Sequence, residues 1–210
     1  MPALGAEFRQ RASSALALAE IGEVARYEAP RGSRTRLGLH PARLESLYEM
    51  AFLRVFVGWE AHLEQAFLRY LCGYTSSHGA AQLAPGRAYE PSLAAAERTV
   101  LGTSSYVLWH SPARVAARSQ RYFASSPVEA VVLSNAARLE AFAAVRHRIA
   151  HAQTDARTKF DAATMSLAGR RYAGSRPGSF LRDWDRSTAP HQRWLERLAN
   201  ELTALAAQVA

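Results

Sequence analysis

Residues 146–151 read RHRIAH and place four ionisable side chains in six positions. Steps of three and four along the periodic segment 127–152 put Arg146 on one stripe with apolar residues. The stripe contains Val128, Val132, Asn135, Leu139, Phe142, Arg146 and Ile149. A guanidinium stays charged and is costly to bury without a partner. Arg146 therefore either extends its charge to solvent at the helix end or is held in a cleft.

His147 and His151 are four positions apart, the spacing with which one face of a helix holds zinc. The segment HRIAH has the histidine spacing of the zinc-protease motif HExxH, but Arg148 stands where the glutamate base belongs. The fixed positive charges of Arg146 and Arg148 would repel a zinc ion. The one cysteine of the chain, Cys72, is not near this segment in the sequence. We therefore expect neither a metal nor another cofactor here.

Arginine beside histidine suits RNA cleavage without a metal, in which the ribose 2′-hydroxyl attacks the adjacent phosphate. Histidine, with an ordinary pKa of ~6.5, serves as base or acid, and arginine stabilises the phosphorane charge. Five residues turn an ideal helix by about 140°, so Arg146 and His151 of one chain do not face one phosphate. Either the helix ends near His151, or two copies of the chain form the site.

The arrangement of Arg146, His147 and His151 resembles the Rx4–6H motif of the HEPN superfamily. The segment VRHRIAH is similar to the RNIAH-type segment of the RiboL-PSP-HEPN group, and FVGWEAHLEQ (56–65) resembles that group's tryptophan–glutamate helix. RPGSFL (176–181) resembles its post-motif segment. His147 stands where asparagine or aspartate is usual, and Ala152 where glycine is frequent.

The resemblance implies an all-α bundle with a HEPN-like core at about 40–205, forming a homodimer whose two motifs share one cleft. It implies a metal-independent endoribonuclease, a hydrolase of the toxin–antitoxin or antiviral defence type, with an antitoxin or defence protein as a further partner. His151 would be the general base or acid, Arg146 the phosphate-binding group and His147 an auxiliary polar residue.

The region from 146 to 186 holds nine basic and four acidic residues, a net charge of +5. It is either the solvated face of an arginine-rich protein or a track for the RNA backbone, with Tyr172, Phe180 and Trp184 available for base stacking. The predicted RNA contacts are Arg148, Arg157, Lys159, Arg170 and Arg171. Glu60 either faces solvent or orients Arg146 as its partner.

Hydrophobic periodicity predicts helices and no convincing strand, hence one all-α domain over 1–210. An N-terminal helix and a basic loop, PRGSRTRLG, occupy 1–39. The predicted helices are 5–28, 41–72, 91–98, 112–123, 127–152, 154–167 with Thr154 or Asp155 as its cap, and 190–208 with Trp194, Leu198, Leu202 and Leu205 on one face. The segments 74–91 and 169–190 are expected to be loops, the second with a short extended piece.

The composition, 49% apolar and 21% charged, is that of a globular protein, and its net charge of +8 favours an anionic partner such as nucleic acid. A GC-rich genome would also produce this charge, because 25 of the 26 basic residues are arginine. One cysteine indicates a reducing cytoplasm. Charges interrupt the N-terminal segment, so we expect no signal peptide and no membrane partner.

Two hypotheses follow from these residues, an RNase and a non-catalytic HEPN-fold module that binds RNA or a protein through the same cleft. A purely structural bundle is a third, but it leaves Arg146 on the core stripe unexplained. The intact pair of Arg146 and His151 favours the RNase, because a binding module has no chemical need for it.

Overall fold

The computed structural model describes residues 1–187 and 189–210, which form ten α-helices joined by loops and very short strands. The predicted all-α fold is therefore confirmed. The helices are α1 Pro2–Glu28, α2 Arg34–Gly38, α3 Pro41–Leu71, α4 Leu93–Leu101, α5 Pro112–Tyr122, α6 Pro127–Ser134, α7 Ala136–Ala150, α8 Thr154–Ala168, α9 Pro177–Arg182 and α10 Trp194–Val209. None of the described helices combines the length and apolarity that a membrane span requires.

The strands, two or three residues long, form three antiparallel pairs. They are β1 Thr75–Ser76, β2 Gly79–Ala80, β3 Gln82–Leu83, β4 Phe123–Ser125, β5 Trp184–Asp185 and β6 Gln192–Arg193. The pairs are β1 with β2, β3 with β4, and β5 with β6, and the last aligns Trp184 with Arg193. The extended piece expected within 169–190 is β5.

The predicted helix over 127–152 is wrong in one respect, because it is interrupted at Asn135. The backbone there leaves helical geometry (φ −119°, ψ 17°), and the Asn135 side-chain amide donates to the Val131 carbonyl at 2.8 Å. Asparagine competes in this way with helical hydrogen bonding. The RHRIAH segment therefore lies on the separate helix α7.

Two local predictions made from side-chain type are also wrong. Gln153, rather than Thr154 or Asp155, precedes α8 as its N-cap, and Asp155 lies in the first turn, where the helix dipole favours a carboxylate. The segment PRGSRTRLG contains the short helix α2, because the Ser33 hydroxyl accepts from the Arg36 N–H at 3.2 Å.

The chain divides into two compact units. The first comprises 1–9, 58–140 and 202–210, and the second comprises 10–57 and 141–201. In the first unit the Phe67 ring contacts Trp109, Tyr122 and Phe123 at centroid distances of 5.4, 5.9 and 5.0 Å. These aromatic contacts form part of its core.

In the second unit the fully buried Phe180 ring contacts Phe160, Tyr172 and Trp194, with centroids 6.2, 5.3 and 5.3 Å away. Helix α9 also approaches α3 very closely at Gly178. A Cβ at Gly178 would lie 2.5 Å from the Glu45 carbonyl oxygen. Glycine is therefore required there to bring α9, and the loops on either side of it, against α3.

Candidate active site and its basic surroundings

The RHRIAH segment forms the last turn of α7, which ends at Ala150. The His151 N–H still donates to the His147 carbonyl at 2.9 Å, so the helical path continues through His151. The rings of His147 and His151 are in contact, with centroids 4.6 Å apart and planes inclined by 50°. His147 is half-buried and His151 is exposed. The pair therefore offers two imidazoles of different environment at one accessible helix end.

Burial lowers the pKa of His147, and the neighbouring charges of His151, Lys159 and Arg146 lower it further, against the opposing effect of Asp155. A lowered pKa keeps the imidazole neutral at pH 7. A neutral imidazole with a free nitrogen accepts a proton, as a general base must.

Arg146 is half-buried, one position after the fully buried Val145. Its Nε is buried and has no hydrogen-bond partner among the residues that the structure describes. A buried donor without a partner costs about 1–3 kcal/mol. Because the helical path continues through His151, the angle of about 140° between Arg146 and His151 still applies.

Arg148 and Arg157 have partners inside the protein. Arg148 Nε donates to the Ser175 carbonyl at 3.1 Å and Nη1 to the His151 carbonyl at 3.0 Å. Arg157 Nε donates to Ser175 Oγ at 3.0 Å. Ser175 is buried, has a φ of 48° and ends the 3-10 turn Ala173–Ser175. Arg148 therefore holds this turn against the end of α7, which carries the histidines, and Arg157 holds it against α8.

The other predicted RNA contacts differ in how far their charge is already neutralised. Lys159 Nζ lies 2.8 Å from Asp155 Oδ2, and both side chains are exposed. Arg170 forms an ion pair with Asp183, whereas the exposed Arg171 has no ion pair or hydrogen bond within the described residues. Arg171 is the most available cation of the set.

Glu60 lies on α3, where its Oε1 is 3.4 Å from His110 Nδ1. No local sequence pattern relates Glu60 to His110, which is 50 positions further along the chain. The predicted pairing of Glu60 with Arg146 stays a prediction.

The prediction of base stacking is wrong for two of the three aromatic residues. Phe180 is completely buried and Tyr172 is 8% exposed, whereas Trp184 is 45% exposed. Phe180 and Tyr172 are part of the core, and of these three rings only that of Trp184 is exposed to solvent.

Comparison of the chain with protein-family models, with curated proteins and with solved structures found no match. Within residues 1–187 and 189–210, no three His, Cys, Asp or Glu side chains are grouped as metal ligands. Function is therefore inferred from the side chains of this protein.

Proposed function

We propose that the protein is a metal-independent endoribonuclease of the HEPN type that cleaves RNA at the RHRIAH end of α7. The observation that carries the proposal is the ring contact of His147 and His151, 4.6 Å between centroids, with the pKa of His147 lowered. Two adjacent imidazoles, one held neutral and one open to solvent, can serve as base and acid in the same reaction.

In the proposed reaction His147 takes the proton from the ribose 2′-hydroxyl, whose oxygen then attacks the phosphorus. The bond from phosphorus to the 5′-oxygen breaks, and protonated His151 gives its proton to that oxygen. The products are a 2′,3′-cyclic phosphate and a 5′-hydroxyl. The role of His147 thereby changes from auxiliary residue to general base.

We assign Arg146 to binding the phosphate and stabilising its developing charge. Because Arg146 points away from His151 on the same helix, the proposal includes a homodimer in which one chain's Arg146 joins the histidines of the other. A toxin or defence role in the cytoplasm, with an antitoxin or defence protein as partner, belongs to the same proposal.

The decisive experiment incubates the purified protein with a labelled single-stranded RNA in excess EDTA. We expect cleavage with 2′,3′-cyclic phosphate ends, and no cleavage of the matching all-deoxy strand. His147→Ala and His151→Ala should each slow cleavage by about 10²–10⁴-fold, while His78→Ala, at an exposed histidine elsewhere, should not. Activity that needs added zinc would refute the mechanism. RNA binding without cleavage would favour the non-catalytic module.

The dimer is tested separately. Light scattering should give about twice the 23.1 kDa chain mass. A mixture of Arg146→Ala chains with His151→Ala chains should recover part of the activity that each lacks alone. A fully active monomer would contradict the shared site.

A further inference from the structure

Two polar clefts meet at Trp184 in the second unit. The larger has a volume of about 570 Å³ and the smaller about 390 Å³. Both include Arg170, Asp183 and Trp184 in their walls. These volumes lie in the range of about 300–1,000 Å³ that small-molecule sites occupy. Each cleft is therefore large enough for a ligand, and one indole serves both.

Trp184 differs from the other tryptophans of the chain in its exposure. Trp59, Trp109 and Trp194 are 2%, 6% and 4% exposed, whereas Trp184 is 45% exposed. The Arg193 guanidinium carbon lies 4.6 Å from the Trp184 ring centroid, and Arg193 lines the larger cleft but not the smaller. The Arg193 guanidinium therefore already covers one face of the indole, and a stacked base would use the part of the ring that remains exposed.

Most of the cleft arginines are already paired with carboxylates. Arg182 donates to Glu23 at 2.6 Å, Arg193 lies 3.6 Å from the same carboxylate, and Arg170 pairs with Asp183. These ion pairs engage the charges of Arg170, Arg182 and Arg193 within the protein.

Each cleft also has one arginine whose charge is not engaged. Arg171 lines the larger cleft and Arg186 the smaller, and both are exposed. Neither forms an ion pair or hydrogen bond with another described residue. Each cleft thus combines an uncommitted guanidinium, which binds phosphate with a two-pronged geometry, with a wall that includes the Trp184 side chain.

The polar side chains that the two clefts share are joined by hydrogen bonds, and Arg170 offsets the charge of Asp183. The Tyr172 hydroxyl donates to Asp183 Oδ2 at 2.6 Å and accepts from Arg170 Nε at 3.2 Å. Burial and the hydrogen bond to Asp183 raise the pKa of Tyr172 to about 12, so the hydroxyl keeps its proton at neutral pH. Despite its partial burial, Asp183 stays ionised, because its hydrogen bonds with Tyr172 and Arg170 lower its pKa, and the Arg170 guanidinium beside it offsets its negative charge.

We infer that the two clefts bind consecutive nucleotides of single-stranded RNA, with a base stacked on Trp184 and the flanking phosphates on Arg171 and Arg186. Aromatic stacking with cationic contacts on either side is how proteins hold single strands without sequence preference. The choice of RNA rests on the proposed function; the binding of a base with its phosphates rests on the clefts alone.

The test uses the His151→Ala protein, so that bound RNA is not cut. Acrylamide quenching of tryptophan fluorescence reports mainly Trp184, because the other three indoles are buried. A hexameric oligoadenylate should protect Trp184 from the quencher, whereas an abasic hexamer and inorganic phosphate should protect it much less. The Trp184→Phe protein supplies the background signal. Unchanged quenching at a saturating hexamer concentration would overturn the inference.

Binding of a labelled hexamer, followed by fluorescence anisotropy, tests the individual residues. Trp184→Ala should weaken binding by about 5- to 150-fold, and Trp184→Phe much less. Arg171→Ala and Arg186→Ala should each reduce the slope of log K against log salt by about 0.7, the effect of one lost phosphate contact. Tyr27→Ala and Arg31→Ala, at exposed positions that line neither cleft, are the matched controls.

The outcomes separate this inference from the proposed function. Cleavage by the unmodified protein with Trp184 unprotected would overturn the inference and leave the RNase standing. Protection of Trp184 without any cleavage would support the clefts and remove the RNase. If adenosine monophosphate protects Trp184 as well as the hexamer at equal concentration, the strand model is overturned in favour of a free nucleotide.

Discussion

Substitution of Arg148 can distinguish a structural role of this residue from a role in RNA binding. Its guanidinium donates to two carbonyl oxygens, those of His151 and Ser175, at 3.0 and 3.1 Å. Hydrogen bonds from a charged group contribute about 1.5–3 kcal/mol each in buried positions. The bond to His151 is exposed and contributes little, so we expect Arg148→Ala to lower the free energy of unfolding by about 2 kcal/mol.

For a chain of this length each kcal/mol corresponds to about 2–4 °C in Tm, so Arg148→Ala should lose about 4–8 °C. Arg171→Ala is the matched control, because Arg171 is exposed and forms no hydrogen bond within the described residues. Its stability should stay within about 0.5 kcal/mol of the parent. Circular dichroism during thermal unfolding measures both variants.

Cleavage of RNA gives a second test of the role of Arg148. Arg148→Ala should slow cleavage by loosening the turn that carries His151, and Arg148→Lys, which cannot span both carbonyls in the same way, should recover little of it. An Arg148→Ala protein that keeps the parent Tm but loses affinity for RNA would refute the structural role of these two hydrogen bonds. Arg148 would then be an RNA contact, as the sequence predicts.

Gly178→Ala should lower the free energy of unfolding in urea by about 1–3 kcal/mol or more, because the new Cβ would lie 2.5 Å from the Glu45 carbonyl oxygen. Gly38→Ala is the control, because the nearest atom to its Cβ would be 3.9 Å away. Equal stability of the two variants would contradict the close approach of α9 to α3. Burial lowers the pKa of His62, whose Nε2 lies 3.1 Å from the Ala206 carbonyl oxygen. The unfolded chain therefore takes up this proton first, so the contribution of His62 is complete above pH ~6.5 and is lost as the pH falls below it. Urea unfolding between pH 5 and 8 measures this loss, and a His62→Gln protein with the same pH dependence as the parent would assign it to other groups.

Features that depend on local spacing could be predicted from the amino-acid sequence. The apolar period of 41–72 and 190–208 predicted α3 and α10, and the predicted face of α10, Trp194, Leu198, Leu202 and Leu205, is buried. The spacing of His147 and His151 likewise anticipated their contact, because residues four apart lie one above the other on any α-helix. These features follow from helical geometry and need no knowledge of distant parts of the chain.

The folded structure was needed to show which polar and aromatic side chains remain accessible. Arg148 and Arg171 look alike in the sequence, but one is held by Ser175, 27 positions away, and the other is exposed. Phe180 and Trp184 look equally suitable for stacking, but the first is buried in an aromatic cluster and the second borders two clefts. The difference arises because hydrogen bonds and ring contacts between distant segments exist only after the chain has folded, and local periodicity carries no information about them.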